Sequence, residues 1–113
     1  MFALLMGLKT ISPDEVLRLT RGAGHFSIFD VNSSQSFAKA HVPGAKRIHP
    51  AAYSEGDLPP DKGDTLVFYC ANPMCRKAPN AARRAKKLGY EDVRVMSAGI
   101  SGWLSANLPT EAA

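Results

Sequence analysis

The stretch that decides the fold is Thr65-Leu66-Val67-Phe68-Tyr69-Cys70, followed at once by Ala71-Asn72-Pro73-Met74-Cys75-Arg76. The first six residues are an apolar run of strand-forming types that ends on a cysteine. The next six read as a short polar turn. Residues 79–88 then read as a helix, with Pro79 near its start and Gly89 just past its end. Such a strand–loop–helix unit puts a thiol at the C-terminal edge of a sheet, where open α/β folds keep their ligand sites. It also puts the thiol at a helix mouth, where unpaired N–H groups and a partial positive charge favour an anion. The expectation is that Cys70 ionises more easily than a free cysteine and serves as a nucleophile.

Upstream and downstream of this unit, strand and helix signals alternate. Residues 8–11 read as a short strand. Ser12-Pro13-Asp14-Glu15 is a helix start in which Ser12 caps, Pro13 suits the first position and Glu15 completes a capping box. Gly22 and Gly24 stop that helix. Residues 25–31 read as a strand, 36–40 as a short helical turn, and 46–49 as a short returning strand after the Pro43-Gly44 turn. Residues 50–64, with Pro59-Pro60 and Gly63, read as irregular. Residues 93–96 form a last strand, and 100–106 a short helix carrying Trp103. Strands separated by helices imply right-handed crossovers and a mainly parallel sheet with helices on both faces.

Composition bounds the function. A chain of 113 residues is expected to form a single domain over residues 1–113 and to build a core without staples, with residues 1–7 an apolar, frayed start. That start is too short to span a bilayer and has no basic residue before it, so neither a membrane nor a signal peptide is expected, and a cytoplasmic location follows. The net charge of +4 suits an anionic small substrate or an acidic partner without choosing between them, and no nucleic-acid partner is assigned. Two cysteines are too few for a disulfide scaffold, and a close pair points to redox, sulfur or metal chemistry. His25, His41 and His49 lack ligand spacing, so neither a metal nor another cofactor is expected.

The order of motifs resembles the rhodanese-like domain over nearly the whole chain. The matching pieces are Phe29-Asp30-Val31, Phe37-(x)3-His41-Val42-Pro43-Gly44-Ala45, Leu58-Pro59, Val67-Phe68-Tyr69-Cys70, Ala81-Ala82, Leu88-Gly89-Tyr90 and Gly99-Ile100-(x)2-Trp103. The resemblance implies a three-layer α/β fold around a five-stranded, mainly parallel sheet. It further implies that Cys70 accepts a sulfane sulfur from thiosulfate or a similar anionic donor. The resulting persulfide would pass its sulfur to cyanide, a thiol or a protein acceptor. Three features depart from the common pattern. Asn32 stands where arginine is usual, Ala98-Gly99 replaces a Gly-Gly turn, and the loop is longer, with Pro73 and Cys75 added.

On this reading the N–H groups of Ala71, Asn72, Met74, Cys75 and Arg76 hold the negative charge on sulfur, with Arg76 helping to bind the donor. Cys75 is either a bystander or a resolving thiol. His41, Asp30 and Trp103 read as structural. Arg83, Arg84, Lys86 and Lys87 read as a solvated helix face. Three other readings compete. Cys70-(x)5-Arg76 matches the signature of cysteine-dependent phosphatases and arsenate-reductase-like enzymes; Cys70 and Cys75 could cycle as a redox pair; and the domain could be a non-catalytic binding module. The oligomeric state is not readable.

Overall fold

The computed structural model describes Ala3 and residues 7–113; of the expected frayed start, only Ala3 and Gly7 fall among them. Five strands form one sheet: β1 (Lys9–Thr10), β2 (Phe26–Asp30), β3 (Lys46–Arg47), β4 (Thr65–Tyr69) and β5 (Asp92–Val95). Their order is β1-β5-β4-β2-β3, and every pair is parallel. Helices α1 (Pro13–Arg21), α2 (Ser34–Lys39), α3 (Lys77–Lys87) and α4 (Gly99–Ser105) fill the crossovers.

β4 lies at the centre because its sequence suits burial on both faces. Leu66, Val67, Phe68 and Tyr69 are all fully buried, as expected of a near-continuous apolar run in a covered parallel sheet. Side chains alternate between the faces. Leu66, Phe68 and Cys70 pack with Phe29, Val93 and Val95 against the alanine stripe of α3, namely Ala78, Ala81, Ala82 and Ala85. Val67 and Tyr69 face the other layer, with Val16 of α1, Phe37 of α2 and Trp103 of α4. The small alanines let α3 sit close on the sheet, which sets the distance between the helix mouth and the end of β4.

Local signals explain the boundaries. Ser12 Oγ accepts the Glu15 N–H and Glu15 Oε1 accepts the Ser12 N–H, so the capping box is closed on both sides. The edge strands are shorter than expected. β3 ends at Arg47 because the chain turns at His49, whose Nδ1 accepts the N–H groups of both Ala51 and Ala52. Within the connection read as irregular, Glu55–Asp57 forms one 3-10 turn. His41 is structural, as expected: its Nδ1 lies 2.7 Å from the Phe37 carbonyl, and its ring stacks on Phe37. Trp103 is fully buried and donates from Nε1 to the Pro109 carbonyl at 2.7 Å.

One buried polar cluster ties the C-terminal edge of the sheet together. Tyr69 Oη donates to Asp30 Oδ2 at 2.6 Å and accepts the Val42 N–H at 3.1 Å. Asp30 Oδ1 accepts the Asn32 N–H at 2.8 Å. Asp30 thus caps the turn, as the sequence suggested, and also anchors the strand next door. Burial, with the Asp30 carboxylate beside it, pushes the Tyr69 phenol well up, so it remains a donor at all ordinary pH. Tyr69→Phe leaves a carboxylate oxygen and a backbone N–H without their partner. It is expected to cost about 1–3 kcal/mol of unfolding free energy in urea denaturation; an unchanged midpoint would contradict this.

Candidate active site

Cys70 follows the last residue of β4 and is 3% exposed, at the C-terminal edge of the central strand. Its carbonyl accepts the Ile100 N–H and the Ala71 carbonyl accepts the Ser101 N–H, both at 2.9 Å. The start of the loop is therefore fastened to the first turn of α4. This approach requires glycine at position 99. Gly99 has φ +66°, and a Cβ there would lie 2.6 Å from both Ala71 C and Asn72 N. The neighbouring Ala98 has φ −60°, which any residue adopts. Its methyl is accommodated because position 102 is glycine, where a Cβ would come within 2.4 Å of it.

The loop then folds back on itself. Met74 N–H donates to Asn72 Oδ1 at 2.9 Å, and Cys75 N–H donates to the Asn72 carbonyl at 3.1 Å. Two of the amides expected to face the sulfur are thus spent inside the loop, and Asn72 acts as the pivot of the turn. Cys75 returns to the side of Cys70: both thiols line one cavity, and Cys75 packs against the core cluster that contains Cys70. Both cysteines are free thiols.

Helix α3 starts at Lys77, two residues before the expected start at Pro79, which proline tolerates because first-turn N–H groups have no intrahelical partner. The consequence is chemical. The N–H groups of Ala78 and Ala71 act to lower the Cys70 thiol, and those of Lys77 and Ala71 act to lower Cys75. Pro79, next in the turn, has no N–H to leave unpaired. Of the expected amide donors, the structure brings Ala71 to the pair. Met74 and Arg76 are exposed. Lys77 and Ala78 were missed because they were placed ahead of the helix.

The pair is electrostatically unequal. Burial pushes the Cys70 thiol up to about 12, and its hydrogen bond to Cys75 adds to this against the N–H groups of Ala78 and Ala71. Burial also acts to raise Cys75. It is outweighed by the Cys70 thiol, the N–H groups of Lys77 and Ala71 and the Lys77 charge, so Cys75 lies below the ordinary thiol value. Cys75 is therefore the more easily ionised of the two thiols. The sequence suggested the reverse for Cys70, because helix proximity was weighed without its burial or the second sulfur.

Above the pair is a cavity of about 10 Å³, lined by Cys70, Cys75, Asn72, Pro73, Ala78 and Ser97 among others. That is room for about one water-sized occupant. Arg76 does not line it. Ser97 follows β5, and its Oγ is buried with no hydrogen-bond partner among the described residues. Nothing local in the sequence marks it; only the strand order, with β5 beside β4, brings it to the thiols. Among the described residues, no group of three or more histidine, cysteine or acidic side chains could hold a metal ion. No helix among them is long and apolar enough to cross a membrane.

A family model described as the rhodanese-like domain matches residues 12–106. The chain belongs to that family. Its rhodanese fold also appears in solved structures: the BH2092 protein of Bacillus halodurans superposes with a TM-score of 0.82 at 24% identity, covering 92% of this chain and 77% of that one. A thiosulfate sulfurtransferase of Pseudomonas aeruginosa gives a TM-score of 0.77 at 26% identity, over 92% of this chain and 19% of that one. Among sequence relatives, an HTH-type transcriptional regulator of Mycobacterium tuberculosis is 35% identical over 102 residues, 89% of this chain and 44% of the regulator. The thiosulfate:glutathione sulfurtransferase of Homo sapiens is 29% identical, over 88% of this chain and 96% of that one. The chain spans about half the length of some of its curated relatives, 44% of the regulator and 55% of a Synechocystis protein.

The unequal pair makes a specific expectation for this rhodanese-like chain. At neutral pH, limiting iodoacetamide should alkylate Cys75 before Cys70, read by peptide mass mapping. The pH midpoint of Cys75 alkylation should fall below the free-cysteine value of about 8.5. Preferential labelling of Cys70 would contradict this order of ionisation.

Proposed function

We propose that this domain is a sulfurtransferase that moves a sulfane sulfur from thiosulfate or a similar anionic donor to a thiophilic acceptor through a persulfide on Cys70. The observation that carries this is the narrow cavity, about 10 Å³, that Cys70, Cys75 and Ser97 line together and that Arg76 does not line. The outer sulfur of thiosulfate fits that space while its sulfonate stays at the mouth, beside the exposed Arg76 and Lys77. A phosphate monoester would need its phosphorus at the cavity floor with Arg76 turned inward, and Arg76 is absent from the lining. The phosphatase reading is disfavoured for these two reasons.

The proton on the thiol pair completes the step. With Cys75 ionised, the Cys70 sulfur attacks the outer sulfur of thiosulfate as its proton passes to the Cys75 thiolate. The donor S–S bond breaks and sulfite leaves with the electron pair. The product is a Cys70–S–S⁻ anion beside a neutral Cys75 thiol. The N–H groups of Ala71 and Ala78 and the unpartnered Ser97 hydroxyl are the donors available to that charge. An acceptor nucleophile then takes the outer sulfur, and Cys70 recovers its proton from Cys75. Cyanide, a small thiol or a protein thiol all satisfy this chemistry. The names of the human relative and of GlpE, a thiosulfate sulfurtransferase of Haemophilus influenzae that is 24% identical, agree with the donor class. A reducing compartment such as the cytoplasm suits two free thiols.

The test is a steady-state assay of thiosulfate-dependent sulfite release with cyanide or glutathione as acceptor. Cys70→Ser is expected to lower the rate at least about a thousand-fold, with no hydrolysis of an aryl phosphate by the wild type. Aryl phosphatase activity lost in Arg76→Ala, without sulfite release, would overturn the assignment.

A further inference from the structure

The second thiol is more than a proton store. Resting on the sulfurtransferase reading, we propose that Cys75 resolves the Cys70 persulfide by forming a Cys70–Cys75 disulfide and expelling hydrosulfide, which makes the domain a persulfide reductase.

Placement argues for it. The two hydrogen bonds that Asn72 accepts fold the loop back, and Cys75 packs against the core cluster that contains Cys70. They share one cavity, so a persulfide formed on Cys70 has Cys75 as its nearest nucleophile. An external acceptor must instead enter a space of about 10 Å³. The loop that carries Cys75 is a solvent-facing turn, with Asn72, Pro73 and Met74 exposed. It can yield to disulfide geometry without disturbing the core.

The step balances. After sulfur loading the pair is Cys70–S–S⁻ beside Cys75–SH. The proton returns along the same contact to the outer sulfur, giving Cys70–S–SH beside a Cys75 thiolate. That thiolate attacks the inner sulfur, on Cys70. A new S–S bond forms between the cysteines, the old one breaks, and hydrosulfide leaves with the electron pair. The two cysteines are oxidised and the sulfane sulfur is reduced to sulfide, so no external oxidant is needed. A dithiol reductant then resets the disulfide. Attack on the outer sulfur would instead expel Cys70 thiolate. That is the poorer leaving group, because burial holds the Cys70 thiol far up.

The experiment is a single turnover under anaerobic conditions. Fully reduced full-length chain is mixed with thiosulfate and no other thiol, and sulfite, sulfide and protein mass are read. The expected result is one equivalent of sulfite and one of sulfide per chain. The protein should lose two hydrogen atoms and carry a Cys70–Cys75 disulfide in its peptide map. Cys75→Ser and Cys75→Ala should load more slowly, keep one extra sulfur and release no sulfide. Wild-type protein that releases sulfite yet retains the extra sulfur overturns this inference and leaves the sulfurtransferase reading standing. Sulfide release that persists in both Cys75 variants also overturns it. Absence of sulfite removes both readings together.

Discussion

Cys70 and Cys75 line one cavity at the C-terminal edge of the sheet, and the chain on either side of that pair is held firmly. On one side, β4 is buried on both faces and ends at Cys70, whose carbonyl is tied to α4. On the other, Asn72 folds the loop back, and α3 begins at Lys77, two residues after Cys75. Burial opposes ionisation of Cys70 most, while backbone N–H groups and the Lys77 charge favour it at Cys75. In the proposed transfer, the closeness of the two thiols gives the proton its route. The chemistry therefore depends on a distance set jointly by a strand end, a turn and a helix start.

The fold is the supporting part of that arrangement. The alanine stripe of α3 brings its N-terminus close to the sheet, and the Tyr69–Asp30 bond locks the strand ends beside it. Gly99 lets α4 approach the loop closely enough to take two carbonyls, while Gly102 makes room for the Ala98 methyl. Each is a steric condition on the loop rather than a group that touches substrate. Family membership alone would not reach the chemistry, since one fold carries many functions. The relatives illustrate this, because they include a transcriptional regulator alongside sulfurtransferases.

Most of the fold was legible in the residues. The apolar run of residues 65–70, the Ser12 capping box and the Pro43-Gly44 turn each act locally, and local signals survive folding with little change. The centre of the site, Cys70 and Cys75 in a turn before a helix, was legible for the same reason. What was not legible depends on distance in sequence. Ser97 reaches the thiols only through strand order. Lys77 and Ala78 became donors because α3 starts earlier than its proline suggested. The ionisation of Cys70 runs opposite to the simple helix-mouth argument. Burial and the neighbouring sulfur outweigh the helix, and neither can be weighed until the loop is folded.

Which of the two thiols takes the sulfur decides the proposed transfer, because Cys75 is the more easily ionised while Cys70 is the buried one at the end of β4. The direct measurement is the mass and fragment map of Cys70→Ser and Cys75→Ser after brief anaerobic exposure to thiosulfate. One extra sulfur on the Cys70 peptide of Cys75→Ser, and none on Cys70→Ser, is the predicted result. A sulfur found on Cys75 of Cys70→Ser, with Cys75→Ser unloaded, would make Cys75 the carrier and contradict it.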